Sequence, residues 1–263
     1  MSYFVQDTWG LTQRWLIHLR KDRMSLTLGI IQPLILLTLA GPLLHHVVRD
    51  AEDLRAVMLD RFQTDDYLTF LFSGIAAFTV LVNSILGGIP IVFDRETGFM
   101  DKILASPVSR GSIVTSRFLY VIFYSLIQVG IIFGVALLLG VRPANPAFAI
   151  AVLVGYAALL SAGITVLSLA LAFIFPHHSI FFAITGFMLS PLLVLSPTFV
   201  ARDAMPDWMA WIAVANPMTH AIEPIRAAFL GQDANYLMSA VGLLIFDAIC
   251  FALAIQVLRK RLD

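Results

Sequence analysis

Asp247 is the one acidic residue lying deep in a long apolar run of this 263-residue chain. A carboxylate so placed suits a proton or ion relay. A relay also wants a facing Lys, Arg or His in the middle of another apolar run, and the sequence offers none. A carboxyl held protonated, or bonded across a helix or subunit interface, therefore fits better, because an unpaired charge is costly to bury. Asn83 and Gln128 suit interhelical hydrogen bonds rather than substrate contacts. His45-His46 and His177-His178 are adjacent pairs, which diverge on a helix, unlike the i, i+4 histidines of an HExxH zinc site. With no cysteine or carboxylate at ligand spacing in the sequence, both pairs read as interfacial polar caps and no metal is expected. Each lysine, Lys21, Lys102 and Lys260, follows Arg or Asp, so Gly-Lys never occurs and no phosphate-cradling P-loop exists. A G-x-S-x-G nucleophile elbow is also missing. No catalysis and no cofactor are expected of this chain.

The remaining chemistry is mechanical. Asp94–Arg117, DRETGFMDKILASPVSRGSIVTSR, is a charged insert between two long apolar segments. Gly98 and Pro107 bracket a short helix over Phe99–Ser106 that offers Phe99, Met100, Ile103 and Leu104 as apolar contacts. A helix at a membrane surface can pass a rigid-body push into the spans on either side. A merely solvated loop would leave that apolar patch without a partner.

The elements that must position this insert are membrane spans. Hydrophobic residues make up 59% of the chain and charged ones 13%, against about 25% charged in soluble domains. That is an integral membrane composition, and zero net charge gives no reason to expect nucleic acid. Cys250 is the sole cysteine, so neither an intrachain disulfide nor a thiol metal cluster is possible. The N-terminus lacks a signal-peptide pattern and is expected to be retained. At about 20 apolar residues per span, Leu26–Val48 (with kinks expected at Pro33 and Pro42), Leu68–Phe93 and Phe118–Val141 qualify. Residues 143–201 carry no formal charge; one helix of that length would run about 88 Å at about 1.5 Å per residue, too long for one crossing. Pro176-His177-His178 divides it into Phe148–Phe175 and Ile180–Val200, and Tyr236–Leu258 completes six spans. Arg14, Arg20, Lys21, Arg23, Arg95, Lys102, Arg110, Arg117, Arg259, Lys260 and Arg261 then lie on the cytoplasmic side with both termini. Arg49, Arg55, Arg61, Arg142, Arg202 and Arg226 lie outside.

Within residues 1–25, Phe4, Val5, Trp9, Trp15, Leu16 and Leu19 fall on one helical side and Gln6, Gln13, Arg14, Arg20 and Lys21 on the other, with Ile17 misplaced. This is the pattern of an interfacial helix. The outer segment 201–235 holds a short apolar patch around Trp208 and Trp211, a break at Asn216-Pro217-Met218, and a second short helix over Ala221–Leu230 that includes Glu223. Half-length helices about a proline suggest a re-entrant hairpin, with the tryptophans at an interface. Residues 1–263 read as one membrane domain.

On these features the chain resembles the permease subunits of ABC exporters of the ABC-2 type. The resemblance rests on Asp94, Arg95, Glu96, Gly98, Leu104, Ser106, Pro107, Val108 and Arg110 of the insert, and on NPMTHAIEPIRAAFLG, Asn216–Gly231. It departs at Met100-Asp101-Lys102, where family members often carry Thr-Leu-Glu. The best likeness is to the daunorubicin-resistance multidrug permeases; nodulation-factor and polysaccharide exporters share the plan. The resemblance implies that 94–117 carries the coupling helix for a separate ATPase holding ATP and Mg. It also implies a dimer of six-span subunits with two ATPase subunits in a bacterial inner membrane.

The expected function is export of a hydrophobic or amphipathic, drug-like or lipid-like molecule, because the spans carry almost no charge. The alternative within transport is a polysaccharide or lipid-linked glycan. Rivals of another class are a proton-coupled secondary transporter using Asp247 and a non-transport scaffold.

Overall fold

The computed structural model describes residues 2–21, 23–50, 56, 59–60, 64, 66–105 and 109–262. Of the expected coupling residues, Ser106 and Pro107 lie outside these, as do the side chains of Ile103, Leu104 and Arg110. Every described element is a helix: α1 Ser2–Lys21, α2 Arg23–Ile35, a π segment Leu36–Ala40, α3 Gly41–Asp50, α4 Tyr67–Leu86, α5 Ile89–Glu96, α6 Phe99–Leu104, α7 Arg110–Leu139, α8 Pro146–Ile174, α9 His178–Val194, α10 Asp207–Ala215, α11 Pro217–Leu230 and α12 Tyr236–Leu262.

Among the described residues, five helical stretches are long and apolar enough to cross a membrane: Gly29–Val47, Tyr67–Glu96, Gly111–Leu139, Pro146–Ile174 and Tyr236–Val257. The expected run 180–200 is instead the 17-residue α9. It ends because Asn216 Nδ2 donates to the carbonyls of Leu192 and Leu195, each at 2.8 Å, and Ser196–Thr198 then turn into the core. In the first span Pro42 lacks the N–H that would bond the carbonyl of Thr38, and its ring crowds that carbonyl. The chain takes up the fault as the π segment directly before it. The third helix begins at Arg110, not Phe118, because Ser109 caps it by accepting from Ser112 N at 3.1 Å. The last residues of the charged insert are therefore the first turns of α7.

α4 and α8 form the centre, and most of their residues are buried. The helix α11 is wedged beside them. Its Phe229 meets Phe72 of α4 at 5.0 Å and Phe133 of α7 at 5.5 Å between ring centroids. A second apolar cluster at the other end joins Ile91 and Val92 of α5, Met100 of α6, Leu169 and Phe173 of α8, and Phe181 of α9.

The expected apolar side of α1 does not face one environment. Thr8 and Thr12 are its most buried described residues, and Trp15 packs on Tyr120 of α7 at 6.0 Å. The buried stripe is thus Thr8, Thr12, Trp15, at i, i+4 and i+7. Phe4, Val5, Trp9 and the seemingly misplaced Ile17 are exposed. Small threonines let α1 approach α7 closely, and the bulky residues are left exposed.

Candidate functional site

The charged insert is an arm, α5–α6, that leaves α4 at Gly87-Gly88. Two neighbouring helices satisfy the backbone groups that this break releases. Arg117 Nε of α7 donates to Gly87 O at 2.9 Å, and Gly88 N donates to Ser168 Oγ of α8 at 3.0 Å. Side-chain rescue of this kind is what permits a helix break at membrane depth. Gly88 is required for space: a Cβ there would stand 2.6 Å from Ser168 O. Gly88→Ala must therefore displace backbone, at a cost of about 1–3 kcal/mol. A lowered melting temperature of the solubilised chain is the expected result, and an unchanged one would refute the close fit.

Beyond the break, Gly98 turns the chain from α5 into α6 with φ +68°, a conformation strained for any residue with a Cβ. Arg95 Nη1 donates to Ala172 O at 2.7 Å and Phe175 O at 3.3 Å, capping the C-terminus of α8. Glu96 Oε1 accepts from His178 N at 2.8 Å, capping the N-terminus of α9. The same carboxylate lies 2.8 Å from His178 Nδ1 and 3.5 Å from His177 Nδ1. Folding thus supplies the carboxylate that sequence spacing did not place near this histidine pair. Even so, among the described residues no group of three ligating side chains could hold a metal ion.

Asp94 is half-buried within electrostatic reach of Arg14 and Arg117. Met100, expected as an outward contact, is buried in the inner apolar cluster and roots α6 in the subunit's own core. Phe99 is half-buried, with the Arg14 guanidinium 5.0 Å from its ring centroid, and Lys102 is exposed. The helix α1 braces the far end of the insert as well: Ser109 N donates to Asp7 Oδ2 at 3.5 Å and Ser112 Oγ to Phe4 O at 3.3 Å. The arm therefore contacts α1, α7, α8 and the start of α9. A displacement of α6 is received by four helices at once.

At the opposite end, Trp208 and Trp211 on α10 are exposed. Asn216 caps in both directions. Its Nδ2 holds the end of α9, and its Oδ1 accepts from Met218 N at 2.9 Å at the start of α11, with Pro217 in the first turn. α11 thus begins at Pro217, four residues before the expected Ala221. Glu223 meets Arg202 at 3.5 Å; burial raises its carboxyl pKa, and Arg202 and Arg226 oppose the rise.

Arg226, counted with the outer loops on charge alone, is buried. Its Nε donates to Ser73 Oγ at 3.1 Å and its Nη2 to Pro197 O at 2.6 Å and Phe70 O at 3.4 Å. The guanidinium stands 3.4 Å from the Phe70 ring centroid. Arg117, counted with the cytoplasmic residues on charge alone, is likewise buried. Between α4 and α7, Asn83 Nδ2 donates to Gln128 Oε1 at 3.0 Å, and Gln128 Nε2 donates to Tyr124 OH at 2.7 Å. Asp247 on α12 is buried opposite Gly163 of α8, and its Oδ1 has no hydrogen-bond partner among the described residues.

Residues 6–230 match the ABC-2 type transporter family. The putative transport permease ycf38 of Cyanophora paradoxa is 32% identical over 98% of this chain and 91% of its own length. Nodulation protein J of Rhizobium leguminosarum bv. viciae is 28% identical over 78% of this chain and 80% of its own length. The daunorubicin resistance ABC transporter permease protein DrrB1 of Streptomyces coeruleorubidus is 26% identical over 64% of this chain and 59% of its own. A match that takes in the helical arm, its clamps and the helices α10 and α11 places the chain in the ABC-2 type transporter family, the membrane component of an ABC transporter.

Proposed function

We propose that this chain is the permease subunit of an ATP-driven exporter. It moves a hydrophobic or amphipathic molecule outward across the cytoplasmic membrane of a bacterium, with both termini inside. ATP and Mg are held by two copies of a separate ATPase, and a second copy of this chain completes the pathway. The observation carrying the reading is the arm α5–α6, rooted through Met100 and clamped by Arg95 and Glu96 to two further helices. That construction suits a lever better than a passive loop. In this reading α9 is the sixth crossing: its 17 residues run about 25 Å, near the lower limit for a span. The hairpin α10–α11 is the outer re-entrant element, with Trp208 and Trp211 at the headgroup level. The apolar spans and the relative named for daunorubicin resistance favour a drug-like or lipid-like cargo.

Recovery of the tagged chain from native membranes in mild detergent tests the reading. A P-loop ATPase is expected with the parent chain and is expected to be lost with Phe99→Asp and with Lys102→Glu, both on α6. If no ATPase accompanies the parent across several detergents, the exporter assignment fails. If the ATPase survives both substitutions, docking lies elsewhere.

A further inference from the structure

A cavity of about 400 Å³ lies between α1, α2, α4 and α7, lined by Trp15, Asn83, Leu86, Arg117, Tyr120 and Tyr124 among others. Its volume is within the range of about 300–1,000 Å³ usual for small-molecule sites. Arg117 is 7% exposed. Its guanidinium carbon stands 4.6 Å from the Trp15 ring centroid and 4.7 Å from that of Tyr120, while Nε is taken by Gly87 O. Among the described residues no carboxylate forms an ion pair with this cation. Asp94 acts on it from further off and is shared with Arg14. Withdrawing a guanidinium from water is costly unless an anion compensates, and aromatic faces offset only part of that cost.

The remaining lining is apolar, with Leu19, Val82, Ile89 and Val121 beside Leu86, which is 38% exposed. Arg117 stands seven residues into α7, roughly 10 Å along its axis from Arg110. With α7 entering the membrane at its charged first turn, as in the reading proposed above, that depth is where a phosphate meets its first methylenes. The amphipathic α1 covers the site through Trp15 and turns Trp9 and Ile17 outward beside it.

We propose that this cavity binds an anionic phospholipid of the cytoplasmic leaflet. The phosphate accepts from the terminal amino groups of Arg117, and the start of an acyl chain lies along Val82 and Leu86. The assignment to the cytoplasmic leaflet rests on the orientation proposed above. Because Arg117 also holds Gly87 O, an occupying lipid bears directly on the joint from which the arm hangs.

Trp15 reports on the site. The full chain carrying Trp9→Phe, Trp208→Phe and Trp211→Phe keeps Trp15 as its only tryptophan. It is reconstituted in phosphatidylcholine bilayers containing a minor fraction of brominated-chain phosphatidylglycerol or, in parallel, brominated-chain phosphatidylcholine. Quenching several-fold stronger with the anionic lipid is expected. Arg117→Gln should abolish the preference, and so should Val82→Phe, which fills the cavity without removing the cation. Equal quenching by the two lipids overturns the proposal, as does a preference that survives Val82→Phe. Competition by inorganic phosphate that erases the preference would assign the site to a free anion and overturn the lipid reading.

Discussion

Arg226→Met is expected to lower the stability of the folded chain by about 2–4 kcal/mol, the scale of losing buried charge-assisted hydrogen bonds and leaving an acceptor unsatisfied. The substitution keeps apolar volume but leaves the Pro197 carbonyl without its donor and removes a charged donor from Ser73 Oγ and Phe70 O, which remain bonded to each other at 2.7 Å. Charge-assisted hydrogen bonds contribute about 1.5–3 kcal/mol each, and the stacking on Phe70 adds about 1–2 kcal/mol in a desolvated site. Arg226→Lys should recover only part of the loss, since a single ammonium cannot reproduce a planar fork reaching three acceptors. The measurements are the thermal unfolding midpoint in detergent and protease sensitivity of segment 195–216, whose turn at Pro197 hangs on this side chain. A Met variant that melts with the parent and resists protease equally would show that α11 is held by its apolar contacts alone. A Lys variant as weak as the Met variant would show that the charge contributes little beside the fork geometry.

Arg226 also marks the limit of what could be read without a fold. Long apolar runs are visible because a bilayer demands length and composition, and four of the expected spans reappear within a few residues of their bounds. Charge counting assigns a side to each arginine, but it has no information on depth. Arg117 and Arg226 are followed or flanked by apolar residues, as buried cations must be, yet the same is true of loop arginines at a span end. The amphipathic period of α1 was legible and its packing face was not. A hydrophobic stripe cannot distinguish lipid from protein, and here the protein takes the threonine stripe because small residues permit a closer approach.

The Asn-Pro break was visible as a helix stop. Its second use was invisible, because the carbonyls of Leu192 and Leu195 come to Asn216 only through the tertiary fold. For the same reason the apolar run 180–200 looked like an uninterrupted span: nothing local announces that its carbonyls are captured from outside. Within the insert, spacing identified a short helix after Gly98 but not its inner face. Met100 is apolar like its neighbours, and only the positions of α8 and α9 select it for burial.

Those same positions make Arg95 and Glu96 the residues whose joint loss should most affect transmission. The double variant Arg95→Ala, Glu96→Ala is expected to recover as much partner ATPase as the parent, since α6 and its outward Lys102 are untouched. Its ATP-driven response should nevertheless fall by about tenfold, within the roughly 5–150-fold typical of coupling between distant sites. The cause is geometric. Arg95 holds the last carbonyls of α8 and Glu96 holds the first N–H of α9, so the arm grips the two helices that meet at Pro176. Without those grips α6 keeps only the apolar contacts of Met100 with α8 and α9 and the Gly88–Ser168 bond, and apolar contacts are non-directional, so its movement passes poorly to the facing ends of α8 and α9. Spin labels at Phe187 on α9 and Leu237 on α12, both outward-facing and placed in a Cys250→Ala chain, read this directly. The parent complex should change its inter-label distance on ATP addition, and the double variant should not. A full change in the double variant would show that force reaches α9 by another route. Loss of the ATPase from the double variant would instead make Arg95 and Glu96 part of the docking surface itself.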